Sequence, residues 1–200
     1  MIKLVIEHST EREVARVERL VSRIGWYEEN GYAITLPDGV VAGSSESEIR
    51  AAVDREYSSS AYEAYAEKAR ASWEEFLPRL SEVRETLPFQ LRDDYTLALT
   101  RYGTGGSYDT ASGTIVINIV TRPADRMLGT LVHEAIHMAV QPLIDTYAVS
   151  HWHKERLVDL MGEKHFPGLR KMQIIKEDVG AVDTAFTNFY PDIEKICSVI

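Results

Sequence analysis

Cysteine and long apolar runs are nearly missing from this chain of 200 residues. The single cysteine, Cys197, can form neither an internal disulfide nor a thiolate zinc cage, so a disulfide-stapled fold is excluded. No apolar run approaches the roughly 20 residues that span a bilayer. The N-terminal stretch MIKLVIEHSTER becomes charged too early for a secretory signal. These absences predict a cytoplasmic protein with no membrane partner.

Clustered positive charge is missing as well. The chain has 22 lysines and arginines against 31 aspartates and glutamates, a net charge of −9. Nucleic-acid-binding proteins normally present clustered basic residues to the phosphate backbone. Here the basic residues alternate with glutamates, as in EREVARVERL. Such alternation is typical of a solvated helix face, so we expect no nucleic-acid partner.

The first half of the chain, residues 1–90, is predicted to be rich in helix. The composition is 44% hydrophobic and 26% charged, which is ordinary for a globular protein of one sizeable domain or two small ones. Hydrophobic periodicity and turn signals predict a strand at residues 2–6, helices at 11–24, 45–57 and 61–87, and a hairpin around Pro37 to Gly39. Pro78 is expected to bend or break the third helix.

The second half, residues 91–200, shows a different pattern. Two apolar segments, residues 95–102 and 113–120, flank the glycine-rich stretch GTGGSYD and predict a β-hairpin. Three helices are predicted to follow, at residues 123–141, 153–162 and 169–190. The fold class is therefore predicted to be α+β, with a small antiparallel or mixed sheet ahead of a helical site and the α-rich first half packed against it.

The stretch TLVHEAIHMAV places three polar side chains in an apolar helical pattern. His133 and His137 are four residues apart, so on a helix both imidazoles lie on one face and can bind one metal ion. Glu134 lies about 100° further round the helix, where it can act as a general base toward a metal-activated water. The alternative is two structural histidines and a surface glutamate, but three such groups on a buried helix need partners. We therefore predict a Zn2+ site.

A catalytic zinc site has three protein ligands and one open position. The segment SHWHKERLVDLMG offers Glu155, His153 and His151 as the third ligand. Glu155 is favoured because Asp159 follows it on the same helix face and can receive the spare N–H of a ligating histidine. His153 is the next candidate, because apolar residues follow it at helical spacing. His151 comes third, because it precedes the predicted helix.

With these residues identified, residues 114–162 resemble a zincin metallopeptidase, most closely the gluzincin branch typified by thermolysin. In that branch a downstream helix reads Glu-x-x-x-Asp, and here ERLVD begins 18 residues beyond the second motif histidine. The resemblance implies zinc ligation by the two motif histidines and Glu155, an orienting role for Asp159, and Glu134 as general base. It also implies that the strand at residues 114–120 is the sheet edge to which a substrate peptide adds.

A second resemblance is to the SprT-like branch, in which a histidine opening the downstream helix is the third ligand. His153 and the spacing of HKERLVDLM are similar to that pattern. The glycine that normally follows the histidine is missing, and Leu157 replaces an aromatic residue. Together with the acidic charge, this departure argues against a DNA-associated role.

The expected function is zinc-dependent hydrolysis of a bond in a peptide or protein substrate. Tyr147 or His153 are candidates to polarise the carbonyl group, and Glu177 is a remote candidate for a metal ligand. A different class stays open, namely a catalytically inactive zincin-like binding or interaction protein that keeps a structural metal. Closure of the metal shell by both His153 and Glu155 would favour that class.

Overall fold

The computed structural model describes residues 2–200 as a mixed α+β fold with one four-stranded sheet. The strands are β1 (Lys3–Glu7), β2 (Asp94–Thr100), β3 (Gly106–Asp109) and β4 (Thr114–Asn118). The helices are α1 (Thr10–Val21), α2 (Ile24–Glu29), α3 (Glu46–Glu56), α4 (Ser59–Arg84), α5 (Met127–Thr146), α6 (His151–His165), α7 (Gly180–Phe189) and α8 (Ile193–Cys197). The predicted α+β class is confirmed. No helix among residues 2–200 combines the length and apolar character that crossing a membrane requires.

The sheet has the strand order β1-β2-β4-β3, in which β1, β2 and β4 are parallel and β3 is antiparallel to β4. The predicted hairpin between residues 95–102 and 113–120 is therefore wrong. The glycine-rich stretch between these segments contributes a strand of its own, β3, so the chain reverses twice and β4 returns parallel to β2. The hairpin that does form joins β3 to β4.

The sheet and its core take elements from both halves of the sequence. β1 pairs with β2 along its whole length, and buried aromatic side chains of α4 pack in the same hydrophobic core as α5 and α6. The three helices predicted in the first half are present with ends shifted by one to three residues. α4 continues through the exposed Pro78, so the predicted break does not occur. The domain boundary near residue 90 stays a prediction.

Residues 30–45 form a loop, and the hairpin predicted around Pro37 to Gly39 is wrong. A single bridge between Thr35 and Gly103 ties the loop to the segment after β2. Val40 packs into a second, smaller core with apolar residues of α1 and α3, and this packing replaces strand pairing. The loop brings Tyr32 against α6, where its ring stacks on Trp152 with centroids 5.8 Å apart.

Helix α5 is buried because it is apolar on almost every side. Every residue from Thr130 to Met138 is buried. The helix begins at Met127, after a 3₁₀ turn, and therefore starts four residues later than predicted. It continues through Pro142 to Thr146, so the expected end at residue 141 is also wrong.

The region after α5 departs from the sequence prediction at two points. α6 begins at His151, two residues earlier than predicted, because the side chain of Ser150 caps it. The helix predicted at residues 169–190 is wrong in its first half, because residues 166–179 form a loop between α6 and α7. This loop, the α6–α7 loop, lies close against α5.

A left-handed turn ends α5 and directs the chain into α6. Ala148 has φ 51°. The backbone N–H of Val149 donates to the Ile144 carbonyl at 3.0 Å, and that of Ala148 to the Asp145 carbonyl at 3.4 Å, which is the Schellman pattern. An alanine pays a steric cost in this conformation because its Cβ approaches the following carbonyl oxygen. The position of α6 therefore depends on a slightly strained residue.

We expect Ala148→Gly to raise the free energy of unfolding by about 1 kcal/mol, because glycine adopts positive φ without the Cβ contact. Urea denaturation followed by circular dichroism measures the change. The matched control is Ala71→Gly on the exposed side of α4, which should lower stability by about 1 kcal/mol. An equal decrease in the free energy of unfolding for both variants would contradict the assignment of strain to Ala148.

Candidate metal centre

Helices α5 and α6 bring two imidazoles and one carboxylate to a single point. His133 and His137 lie one turn apart on α5, and their Nε2 atoms are 3.0 Å apart. Glu155 of α6 places Oε2 at 3.4 Å from Nε2 of His133 and Oε1 at 3.4 Å from Nε2 of His137. All three side chains are buried, and their ligand atoms lie within 4.8 Å of one another. The three residues favoured by the sequence form a group that could hold a metal ion.

The spacing in this group is compatible with a small metal ion. Zinc–ligand distances of about 2.0–2.1 Å in a tetrahedral shell separate the ligand atoms by about 3.4 Å. The two imidazole–carboxylate separations of 3.4 Å match that value, and the separation of 3.0 Å between the two Nε2 atoms is shorter. An N–H···O bond normally measures about 2.7–3.2 Å, shorter than the two imidazole–carboxylate contacts. The donor set of two imidazoles and one carboxylate is also typical of zinc.

Asp159, one turn after Glu155 on α6, contacts the other side of His133. Its Oδ1 lies 3.3 Å from Nδ1 of His133, so a proton on Nδ1 leaves Nε2 free to bind an ion. The sequence pattern predicted that Asp159 would receive the spare N–H of a ligating histidine. Nδ1 of His137 has no hydrogen-bond partner among residues 2–200, so the two imidazoles are held differently.

The α6–α7 loop supports both carboxylates through one residue that the sequence analysis missed. The side chain of Gln173 donates from Nε2 to Oε2 of Glu155 at 2.7 Å, and its backbone N–H donates to Oδ2 of Asp159 at 2.6 Å. Gly129 of α5 permits this approach, because a Cβ there would lie 2.4 Å from the carbonyl oxygen of Leu169. No motif marked Gln173, since residues 169–190 were predicted to be helical.

The pKa values of His137 and Glu155 favour the forms that bind metal ions, whereas that of His133 favours the protonated form. Burial lowers the pKa of His137 to about 4, so its imidazole is neutral at neutral pH. Burial alone would raise the pKa of Glu155, but the two facing imidazoles outweigh it and hold the pKa below its usual value. Burial alone would lower the pKa of His133, but Asp159 and Glu155 outweigh it and hold the pKa above its usual value, so this imidazole must release a proton when an ion binds. A charged carboxylate and a neutral imidazole are the forms that ligate metal ions.

Glu134 points from the same helix into the cleft next to the three-residue group. Its side chain is buried, and burial raises its pKa above the usual value for a carboxyl group. The edge strand β3 passes directly over it at Gly106, where a Cβ would lie 2.6 Å from Oε1 of Glu134. Only glycine allows the backbone to come this close.

The group opens into a cleft of about 480 Å³. The cleft is bounded by α5, β3, α2, the α6–α7 loop and the loop that carries Tyr32. The sequence had placed the free sheet edge at residues 114–120, and this is wrong. β4 is hydrogen-bonded to β2 on one side and to β3 on the other. The open edge beside the cleft is therefore β3.

Tyr32 and His151 meet on the wall of the cleft. The hydroxyl of Tyr32 lies 2.5 Å from Nε2 of His151. Burial, and then the nearby charge of Glu155, raise the pKa of Tyr32, so its hydroxyl stays protonated. His151 was only the third choice for a ligand, and the structure places it beside Tyr32 rather than in the three-residue group. Tyr32 comes from a loop distant in sequence, and no local pattern marked it.

The remaining sequence candidates lie outside the group. Tyr147 does not line the cleft, because its hydroxyl donates to Oε1 of Glu194 at 2.9 Å. The role proposed for it as a carbonyl-polarising residue is therefore wrong. Nε2 of His153 lies 3.3 Å from the carbonyl oxygen of Asp178, and His153 is not part of the group. Glu177 is exposed in the α6–α7 loop and is not part of it either.

Comparisons of the chain with protein-family models, with curated proteins and with solved structures found no match.

Zinc titration tests the contact between Asp159 and His133. We expect Asp159→Ala to weaken zinc binding about 10- to 100-fold, because His133 loses the partner that orients its ring. Competition with a chromophoric chelator measures the affinity, and His137→Ala should abolish binding. Asp54→Ala, an exposed residue of α3, is the control and should bind zinc like the original chain. Equal affinities for Asp159→Ala and Asp54→Ala would contradict the orienting role.

Proposed function

We propose that this chain is a zinc-dependent peptidase, in which His133, His137 and Glu155 hold the ion and Glu134 is the general base. One observation carries the proposal: the three-residue group opens into a cleft that also contains a buried carboxylate and an unpaired strand edge. A structural metal site needs none of these additional features. Hydrolysis of an extended peptide uses all of them.

The number of ligands supports catalysis rather than a structural role. Structural zinc sites usually have four protein ligands, whereas catalytic sites have three and one open position. Among residues 2–200 the group comprises three ligand residues. His153 is turned toward the carbonyl oxygen of Asp178. The SprT-like pattern requires His153 as the third ligand, and its addition to Glu155 would have favoured a structural metal. The gluzincin-like assignment with Glu155 is therefore the one we propose.

The edge strand gives a substrate a defined place to bind. An extended peptide can add to the free edge of β3 through backbone hydrogen bonds. Gly106 lies over Glu134, so a peptide paired there would have one of its bonds next to the carboxylate. The ring of Tyr108, further along the same strand, stacks on His137 with centroids 5.1 Å apart, which brings the strand next to the candidate ligands.

A divalent ion at this site supplies Lewis-acid chemistry, which polarises a carbonyl group and lowers the pKa of water. Glu134 takes a proton from the attacking water, whose oxygen bonds to the carbonyl carbon. The carbon–nitrogen bond then breaks, and Glu134 passes the proton to the leaving nitrogen. One water is consumed, and the products are a carboxylic acid and an amine, which leave as carboxylate and ammonium once the acid proton moves to the amine. The raised pKa of Glu134 suits it to both transfers near neutral pH.

Tyr32 is the residue proposed to stabilise the carbonyl oxygen as it becomes negative. Its hydroxyl is protonated, lines the cleft and is held by His151. A donor of this kind lowers the barrier because its hydrogen bond strengthens as the charge develops. We therefore assign to Tyr32 and His151 the role that the sequence gave to Tyr147 or His153.

The decisive variant is Glu134→Gln, which removes the base while keeping its shape. We expect bound zinc to stay at one ion per chain. Hydrolysis of a random peptide pool, measured by the free amines it releases, should fall about 10²- to 10⁴-fold. Loss of zinc together with activity would mean that Glu134 is not the base. Zinc binding by the original chain with no detectable hydrolysis of any peptide would favour a structural metal.

A second variant tests the donor role of Tyr32. Tyr32→Phe should lower kcat about 100-fold with little change in KM or bound zinc, because one donor to the developing negative charge is lost. Tyr147→Phe is the matched control and should leave kcat unchanged, since Tyr147 bonds to Glu194 outside the cleft. An equal effect of the two changes would refute the assignment.

A further inference from the structure

The cleft has more positive charge than the rest of this acidic chain. Four cationic side chains line it, and we call them the cleft cations: Arg23, Arg122, Lys154 and Arg170. The only carboxylates among the residues lining it are Glu134 and Glu155. The chain as a whole has a net charge of −9. Positive charge is thus concentrated where a substrate would bind.

Three of the four cleft cations have no carboxylate within 4.0 Å among residues 2–200, whereas several arginines elsewhere form ion pairs. Elsewhere Arg84 lies 2.7 Å from Asp93 and Arg156 lies 2.6 Å from Asp183. Within residues 2–200, Arg122 has no carboxylate within 4.0 Å, and its guanidinium makes one long bond of 3.4 Å to a backbone carbonyl.

Among the other three cleft cations, only Arg170 has a carboxylate nearby. Arg23 lies over the ring of Trp26, and Lys154 lies over the ring of Tyr108. Arg170 approaches Oδ1 of Asp159 at 3.6 Å, but its buried Nη1 has no hydrogen-bond partner among residues 2–200. A guanidinium that is partly buried without a full set of acceptors is a strong site for an incoming anion.

Arg122 lies in the same cleft as the proposed base. Its guanidinium fills the space next to Gly105, where a Cβ would lie 2.4 Å from Nη2. Gly105, Gly106 and Glu134 line the same cleft. Burial, and then repulsion from Arg170, lower the pKa of Arg122, in agreement with two guanidinium groups that face the same space.

We propose that Arg122 and Arg170 bind a carboxylate of the substrate in the cleft, so that the preferred substrates are acidic peptides. The inference rests on the proposed peptidase function. Each guanidinium offers paired N–H donors that match a carboxylate. Lys154 and Arg23 extend the positive field along the cleft and attract an acidic segment from a distance. The carboxylate comes either from an Asp or Glu side chain or from the C-terminus of the peptide.

The test uses the zinc-loaded full chain and capped hexapeptide pools in which one central position is fixed as Glu or as Gln. We expect the Glu pool to give a kcat/KM about 10- to 100-fold higher than the Gln pool. A third pool has Gln at that position and a free C-terminus. A preference for this third pool over its amidated counterpart would identify the C-terminal carboxylate as the bound group.

Arg122→Gln should bring the Glu/Gln ratio close to one, and Arg122→Lys should keep part of the preference. Arg170→Gln should act in the same direction, with its zinc content checked because Arg170 approaches Asp159. Arg79→Gln, an exposed residue of α4, is the control and should keep the full ratio. Equal cleavage of all pools by the original chain, or an unchanged ratio in Arg122→Gln, would overturn the inference and leave the peptidase function standing.

Binding separates the two proposals. Calorimetry with zinc-loaded Glu134→Gln measures affinity without turnover. Tighter binding of the Glu pool that depends on Arg122, combined with no hydrolysis by the original chain, would support the anion site and reject the peptidase function. Equal binding of the Glu and Gln pools would reject the anion site.

Discussion

The carboxylate of Glu155 reaches both imidazoles of α5 from the neighbouring helix, and this buried contact governs how α5 and α6 pack. Three polar groups in an apolar interior are costly unless each satisfies the others. Here the two imidazoles face one carboxylate, and Gln173 and Asp159 satisfy further atoms. The arrangement that makes ion binding feasible is therefore also the one that makes burial of these groups tolerable.

The parts of the site that lie within single helices were predictable from the sequence. In α5 the helical period places His133 and His137 on one face, and in α6 it places Glu155 and Asp159 on one face. The sequence left open only how the polar face of α5 packs against that of α6. The apolar residues around both faces restrict this packing. Spacing alone therefore predicted four residues: the three of the group and Asp159, which supports it.

The parts that depend on contacts between distant segments were not predictable. The glycine-rich stretch was taken as a turn, because glycine has little intrinsic strand preference, yet pairing with β4 makes part of it a strand. That one error misplaced the open edge of the sheet. Tyr32 and Gln173 come from loops whose paths are set by packing against α6 and α5. Their residue types carry no local signal of that placement.

Gly106 has a consequence for selectivity if peptides pair with β3. The carboxylate of Glu134 fills the space that a side chain at this position would need. The distance between that carboxylate and a paired strand is then set by main-chain geometry, which is the same for every amino-acid sequence. Side groups of a bound peptide would thus change its residence time and the register in which it pairs, while the distance from its backbone to the carboxylate would stay the same.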